Sequence, residues 1–333
     1  MKKIRISIIG ASGTANKRIA PALQNSELCV ITSIQGRDYN HIIEIKEQFK
    51  IEEAYTDINE MLSQGNYDCI YIATPPFLHF QNILIASKTN KPIICEKPLA
   101  RNYAEGIHIS KILNSYNDTN LRIAHHLRHQ KAIKDIAQWI NQKVIGDILN
   151  VVIQWGYEMN LYSKNAAWKK KPELQGLGSL SDNGIHLIDL IIYLFGLPKY
   201  IWGKIDNINM TDTFDNETSV LTYEKTCIYI QSSQCMKYSG NHLLIYGTQG
   251  SIEAFYSVGE ESITQIVLRT VNGNENFNYP TENLYKNEIE DFCKTINDPF
   301  YHNIGTTLKE SLMALKIIDK IRQSAFSNKV IKY

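Results

Sequence analysis

The segment Ile93-Ile94-Cys95-Glu96-Lys97-Pro98 runs from apolar residues straight into a carboxylate, an amine and a proline. A charged pair at the mouth of a buried strand must meet a ligand, a partner charge or water, and the proline stops the strand ladder there. An ammonium held at such a place can steady negative charge developing on a substrate oxygen. A second cluster, Asp182, His186 and Asp189, is spaced by four and three behind the glycine-rich Gly176-Leu177-Gly178. On a helix the three share a face, with Asp182 and His186 at its exposed first turn. A histidine there can exchange a proton near neutral pH while a carboxylate holds its ring. Each residue also has a plainer reading, Asp182 as a charge favoured by the helix dipole and His186 as a satisfied core histidine. A metal held by Asp182, His186 and Asp189 is not expected, because His125, His126 and His129 fall in a strand-end or loop segment and add no second ligand cluster. Lys169-Lys170-Lys171 reads either as a contact for a phosphate or diphosphate or as a solvated charge run.

A third cluster opens the chain. Gly10-Ala11-Ser12-Gly13-Thr14-Ala15 follows the apolar run Ile4 to Ile9 and precedes a helical pattern. The dinucleotide fingerprint G-x-G-x-x-G/A works through a tight turn and a close approach of pyrophosphate to a helix N-terminus. Gly10 fits its first position and Ala15 its third, with Ser12 at the second as a small residue able to donate to phosphate; Gly13 and Thr14 complete the turn. Without a ligand, the same stretch is a small-residue strand-to-helix turn. After the second strand comes Gly36-Arg37-Asp38, where an acidic residue would suit the ribose of NAD and an arginine the 2′-phosphate of NADP. Arg37 leans the reading toward NADP, against the alternative of a solvated loop arginine.

These residues need elements to hold them. Buried strands at Ile4 to Ile9, Leu28 to Ile34, Cys69 to Ala73 and Pro92 to Cys95 alternate with helical patterns at Ala15 to Gln24, Ile42 to Phe49, Ile58 to Leu62 and His79 to Ser87. Such alternation means βαβ units and a parallel sheet, whose ligands bind beyond the carboxyl ends of the strands. Gly10, Arg37, Thr74 and Lys97 all lie at such ends. From Leu149 the pattern changes to strands at Ile148 to Trp155, Tyr200 to Ile208, Ser219 to Tyr223, Cys227 to Ser232, Leu243 to Tyr246, Ser251 to Phe255 and Ile263 to Val271. Turns are expected at Tyr223 to Thr226 and Gly247 to Gly250. Helices at Leu284 to Ile296 and Thr306 to Ala325 close the chain. The expected fold is α/β: an N-terminal doubly wound Rossmann sheet over 1–122, and an α/β domain over 123–333 built on a large open, mainly antiparallel sheet, with the last helix free to pack back on the first domain. The uncovered sheet face predicts a homo-oligomer.

Bulk properties exclude other classes. The 333 residues carry 35 basic and 34 acidic side chains, a balance that does not fit nucleic acid or an anionic membrane as main partner. The longest apolar stretch, Leu187 to Phe195, is interrupted by Asp189 and too short to span a bilayer. The opening Met-Lys-Lys-Ile leads into a strand rather than a signal peptide. Six scattered cysteines, none in a Cys-x-x-Cys pair, fit a reducing compartment, and a cytoplasmic protein is expected.

In order and at their spacings, Ile9-Gly10-Ala11-Ser12, Ala73-Thr74-Pro75 with His79, Cys95-Glu96-Lys97-Pro98-Leu99-Ala100 and Gly178-x-x-x-Asp182-x-Gly184-x-His186-x-x-Asp189 resemble the Gfo/Idh/MocA oxidoreductase family over nearly the whole chain. The resemblance implies an NAD(P)-dependent enzyme that moves a hydride between nicotinamide and a carbinol or keto carbon of a sugar, above all a nucleotide-linked sugar. It implies that Lys97 lies near the nicotinamide and bonds the reacting oxygen, that His186 is the general acid/base, and that Asp182 orients the substrate or the histidine. Gly10, Ser12, Gly13, Thr14, Ala15, Arg37, Thr74, Pro75, His79, Glu96 and Lys97 form the implied cofactor set; Lys97, Arg128, Trp168, Asp182 and His186 form the implied substrate set. The histidine at 186 is similar to inositol dehydrogenases and uronic-acid sugar-nucleotide dehydrogenases, whereas the opening stretch through Leu23 is similar to sugar-nucleotide 3-ketoreductases. A cyclitol dehydrogenase, a non-catalytic NAD(P)-binding regulator and an NAD-dependent glycosidase are the alternatives. The active site is expected to draw on both domains, with Lys97-Pro98 as a cis bond candidate.

Overall fold

The computed structural model describes residues 2–113, 120–160, 168–209, 212–259, 264–298 and 300–333. The chain forms two units, Met1–His126 with Asn283–Leu312, and Leu127–Glu282 with Met313–Tyr333. The polypeptide thus returns to the first unit late, where the sequence reading drew a single boundary at 122/123.

In the first unit, strands β1 (Ile4–Ile9), β2 (Cys29–Gln35), β3 (Glu53–Tyr55), β4 (Cys69–Ile72), β5 (Ile93–Glu96) and β6 (Leu121–Ala124) alternate with helices α1 (Ala20–Gln24), α2 (Tyr39–Phe49), α3 (Ile58–Gln64), α4 (His79–Ser87) and α5 (Tyr103–Ile112). A π-helical turn, Ala15–Ile19, leads into α1. The β-branched runs of β1 and β4 are buried nearly throughout, as central parallel strands require. Asp38, Asp57 and Asn102 cap α2, α3 and α5, accepting from the backbone N–H of His41, Glu60 and Glu105.

The second unit begins with α6 (Lys131–Asn141) and β7 (Ile148–Gly156). A short α7 (Pro172–Gln175) and a π-helical turn, Leu180–Gly184, precede α8 (Ile185–Phe195). Strands β8 (Tyr200–Asp206), β9 (Asn216–Thr222), β10 (Cys227–Ser233), β11 (Leu243–Gly247), β12 (Gly250–Phe255), β13 (Thr264–Thr270) and β14 (Gly273–Tyr279) follow. The chain then forms α9 (Leu284–Asn297) and β15 (Thr306–Thr307) in the first unit, runs through α10 (Leu308–Ser327), and ends in β16 (Ile331–Lys332). The expected helix from Thr306 therefore starts two residues later, after a short strand. The sequence reading left β3, β6, β14, β15, β16, α5, α6 and α7 unassigned.

The first sheet has the order β15-β6-β5-β4-β1-β2-β3. All its pairs are parallel except β15 with β6. Reversal of direction about β1 is the doubly wound arrangement, with ligands beyond the strands' carboxyl ends. Helix α9 completes its core: Ile289, Phe292 and Cys293 pack in one cluster with Ile19, Cys29 and Cys69.

The second sheet has nine strands in the order β14-β13-β12-β11-β7-β10-β9-β8-β16. Only β7 with β10 is parallel among its described pairs. One face carries Val151, Ile153, Ile228, Ile230, Leu243 and Ile245, all buried. The two expected turns are present; Tyr223 N–H, for example, bonds Thr226 O at 2.8 Å.

The buried face of this sheet also holds an acid. Glu217 of β9 is opposite Ser232 of β10, whose Oγ donates to its Oε2 at 3.0 Å. Burial pushes this carboxyl up to about 7 against the hydroxyl bonds that favour its anion. The unfolded chain releases the proton near 4.5 while the folded chain keeps it to about 7, so Glu217 lowers stability as pH rises through that window. Glu217→Gln should remove this slope. Its unfolding free energy relative to wild type is expected to climb by about 3 kcal/mol between pH 4.5 and pH 8, read from urea titrations. Parallel pH profiles would show that Glu217 does not titrate in this window.

Candidate active site

Three strand ends of the first unit bring the expected cofactor residues together. Gly10 ends β1 with φ +102°, and a Cβ there would lie 2.6 Å from Thr74 Cγ2 and 3.0 Å from Thr74 N. Only glycine allows both the backbone angle and the approach of the β4 turn. Gly10 N–H also bonds Gln35 O at 2.9 Å, so the first turn touches the end of β2, just before Arg37. Gly13, Thr14 and Arg37 are exposed, and a Cβ on Gly13 would meet nothing within 4 Å. Open backbone at Gly13, beside a turn that no side chain could fill at Gly10, fits a pyrophosphate.

Ser12 behaves differently from its expected role. Its Oγ donates to Ala73 O at 2.7 Å and accepts from Ala15 N–H at 3.1 Å, so its one proton serves the β4 turn rather than a phosphate. His79, read as a cofactor contact, has no exposed surface; its Nδ1 lies 2.8 Å from Pro98 O and its Nε2 2.7 Å from Thr74 O. Pro75 is half-buried beside Thr74, whose Oγ1 accepts from Asn82 Nδ2 at 3.0 Å. Glu96 points inward, against its expected cofactor contact: its Oε1 accepts from Tyr71 Oη at 2.9 Å within the core. Burial, then Glu96 and Glu288, raise that phenol well above its usual range. Lys97 is half-buried, and the Lys97–Pro98 bond is cis, as the sequence reading anticipated.

One neighbour of Lys97 escaped that reading. Strand register pairs Glu96 with Ala124, which puts His125 and His126 at the next positions beside Lys97. His126 is buried and stacks on Tyr285 of α9, with ring centroids 4.8 Å apart. Burial, then the charges of Lys97, His125 and Arg18, push it down to about 3, so it stays neutral. Its signal was the doubled histidine just past an apolar run, weighed only as a metal ligand.

In the second unit, Asp182 sits in the π-helical turn, and its Oδ2 accepts three bonds. Tyr157 Oη donates at 2.7 Å, Lys169 Nζ at 2.6 Å and Gln234 Nε2 at 2.9 Å. Lys169 of the triple-lysine run is thus a partner of Asp182 rather than a solvated charge, and its Nζ stands 5.9 Å from the ring centre of Trp168. The turn fits because Gly184 has no side chain; a Cβ would lie 2.8 Å from Ser232 Oγ. His186 follows in α8, tilted against Trp155 with centroids 5.4 Å apart. It is 3% exposed and not at an open helix end, since a π-helical turn, Leu180–Gly184, precedes α8. Asp182, His186 and Asp189 do not act as one set: Asp189 turns to Arg128, and Asp182 to Tyr157, Lys169 and Gln234.

Comparison with known proteins accords with this geometry. Residues 4–125 match the family model for an oxidoreductase family with an NAD-binding Rossmann fold, and residues 133–253 match the GFO/IDH/MocA C-terminal domain. An oxidoreductase of Formosa agariphila is 24% identical over 331 residues, spanning 95% of this chain and 98% of its own. The solved aldose–aldose oxidoreductase of Caulobacter crescentus, complexed with glycerol, is 18% identical, with a TM-score of 0.88 and full coverage of both chains, 100% and 100%. The 3-ketoreductase KijD10 of Actinomadura kijaniata, in complex with TDP-benzene and NADP, is 18% identical, with a TM-score of 0.80 over 97% of this chain and 98% of its own. Among the described residues no helix is long and apolar enough to cross a membrane.

Arg128, expected to meet substrate, is instead an internal anchor. Its Nε and Nη2 bond Asp189 Oδ2 and Oδ1 at 2.7 and 2.8 Å, and its guanidinium stands 5.1 Å from the Tyr193 ring centre. Both side chains of the pair are almost wholly inaccessible, at 2% and 1%. Removing one partner strands a buried charge, whereas removing both does not. Arg128→Met should therefore lose about 3–5 kcal/mol of stability, and the Arg128→Met/Asp189→Leu pair should recover most of it. Urea unfolding measures both; a single-variant loss below about 1 kcal/mol would show that the pair does not act as a closed unit.

Proposed function

We propose a substrate and a division of labour for this chain, which belongs to the GFO/IDH/MocA family of oxidoreductases and is an NAD(P)-dependent enzyme acting on CH–OH groups. The substrate is a sugar, foremost a nucleotide-linked sugar, oxidised or reduced at one carbon. The observation that carries the reading is Lys97 at the carboxyl end of β5, in a sheet whose β1 and β4 ends supply the Gly10 and Thr74 turns. The nicotinamide, when bound, supplies or accepts the hydride. Lys97 bonds the reacting oxygen and steadies its negative charge. His186 takes or returns the hydroxyl proton. Asp182, fixed as an acceptor by Tyr157, Lys169 and Gln234, orients a sugar hydroxyl, and Trp168 offers an aromatic face beside it. Gly10, Gly13, Thr14 and Ala15 hold the pyrophosphate, and exposed Arg37 takes the 2′-phosphate of NADP. Glycerol in the Caulobacter enzyme and TDP-benzene with NADP in KijD10 support polyol and nucleotide-linked substrates respectively. Residence in the cytoplasm agrees with six free cysteines.

A panel of nucleotide sugars, free sugars and cyclitols with NAD and NADP tests the reading. NADP is expected to bind more tightly, and Lys97→Ala and His186→Ala to lower turnover by roughly 10²-fold or more. Turnover of cyclitols alone would replace the sugar by a cyclitol, and tighter NAD would remove the role of Arg37. Full activity in both variants would overturn the assignments to Lys97 and His186.

We also infer a homo-oligomer through the uncovered sheet face, a dimer or tetramer. On the face opposite the core, register aligns Trp202, Val220, Tyr229, Val152 and Leu244 in one row across β8, β9, β10, β7 and β11. Tyr229 is 43% exposed, and the other four are half-buried. A broad apolar row of this kind suits a second copy of itself. Sedimentation velocity should give a dimer or tetramer that Leu244→Asp weakens; a wild-type monomer at micromolar concentration would exclude it.

A further inference from the structure

The three strand-end turns of the first unit are joined by side chains, and one of these reaches the turn of Lys97. Ser12 ties the β1 turn to Ala73 O, and Asn82 holds Thr74 Oγ1. His79, the first residue of α4, touches both other turns at once through Thr74 O at 2.7 Å and Pro98 O at 2.8 Å. We propose that His79 is a positioning residue for Lys97, joining the Thr74–Pro75 turn to the Lys97–Pro98 turn so that the loop facing the dinucleotide and the loop carrying the amine hold one relative position.

The chemistry of the ring suits this role. Imidazole is rigid and planar, with its two nitrogens on separate edges, so one side chain can span two backbone carbonyls. It has no exposed surface and so cannot meet a ligand itself. Burial lowers its tendency to take a second proton, the carbonyls of Pro98 and Thr74 oppose that, and Lys97 and Glu105 act in opposite senses. Both carbonyls are hydrogen-bonded at once only when each ring nitrogen carries an N–H, the protonation that the two contacts favour and burial opposes, and such a ring ties both turns to one set of atoms. Thr74 in turn packs on Gly10, which extends the linkage to the first turn. The amine that meets the reacting oxygen is thus located through the turn that meets the cofactor, and small displacements of such a group matter for rate.

This inference rests on Lys97 and the dinucleotide acting as proposed above, and its test separates the two. Lys97 acylation by acetic anhydride is followed by peptide mass spectrometry in wild type, His79→Phe, His79→Asn and His79→Gln, with and without NADP or NAD, and exposed Lys332 serves as the internal reference. Phenylalanine fills the space without a polar atom, asparagine is too short to span both turns, and glutamine can offer its amide to both. In the free protein, Lys97 of His79→Phe should react about 10-fold faster than in wild type relative to Lys332. His79→Asn should show a smaller rise, and His79→Gln should stay near the wild-type rate. A wild-type rate in folded His79→Phe, or in His79→Asn should the first variant not fold, would overturn the proposal. Failure of both dinucleotides to protect Lys97 in wild type would instead overturn the cofactor reading, leaving the free-protein comparison intact.

Discussion

A parallel sheet has a direction, and the first unit depends on it. Strands β1, β4 and β5 are neighbours and end on the same edge. Adjacent strands lie about 4.8 Å apart, so turns leaving them are within reach of a single side chain. That spacing is why Gly10 must lack a side chain, why Ser12 can bond Ala73, and why one histidine can touch both Thr74 and Pro98. Inward and outward alternation does the rest: Glu96 is turned to Tyr71 in the core, leaving Lys97 as the group that emerges.

The second unit meets a different constraint, that of placing carboxylates inside a large sheet-and-helix layer. It resolves the problem in three ways. Asp189 receives a guanidinium in a two-pronged ion pair. Glu217 has hydroxyls but no cation among the groups that shift it, and it holds its proton instead. Asp182 keeps partial access to solvent and gathers three donors on one oxygen. Burial thus sorts chemically similar groups by how each is held: by a cation, by its own proton, or by several donors. The shared π-helical turn matters here, since Gly184 lets Asp182's segment settle on the strand that also serves Glu217.

Much of this was legible from residue order because strong local signals and long-range position agreed. The apolar runs of β1, β4 and β5 and the turn residues after them identify both the sheet and its functional edge. What escaped has physical reasons. Strand β3 is three residues long and half-buried, and β14 reads Gly-Asn-Glu-Asn-Phe-Asn-Tyr, a polar edge strand with no apolar alternation. Strands β15 and β16 have two residues each and exist only through their partners β6 and β8. At the site, the motif positions were visible but the direction of each side chain was not. Ser12, His79, Glu96 and Arg128 all turn to protein groups, and no spacing rule states whether a polar residue near a ligand faces it or braces the backbone beside it. Nor did the i, i+4, i+7 pattern of Asp182, His186 and Asp189 foresee a π-helical turn that sends the two carboxylates to different partners.

Helix α9 contributes Ile289, Phe292 and Cys293 to a core otherwise built from residues before 125, and β15 adds the last strand to that sheet. The ribosome therefore releases the whole of β1 to β6 long before the segment that seals them. Through the synthesis of residues 127–282 the nascent first unit carries an uncovered apolar surface and an unfilled sheet edge. Its maturation waits for the synthesis of residues 283–312, so a chain stopped before them lacks a sealed nucleotide-binding fold even when every glycine and lysine of its motifs has been made.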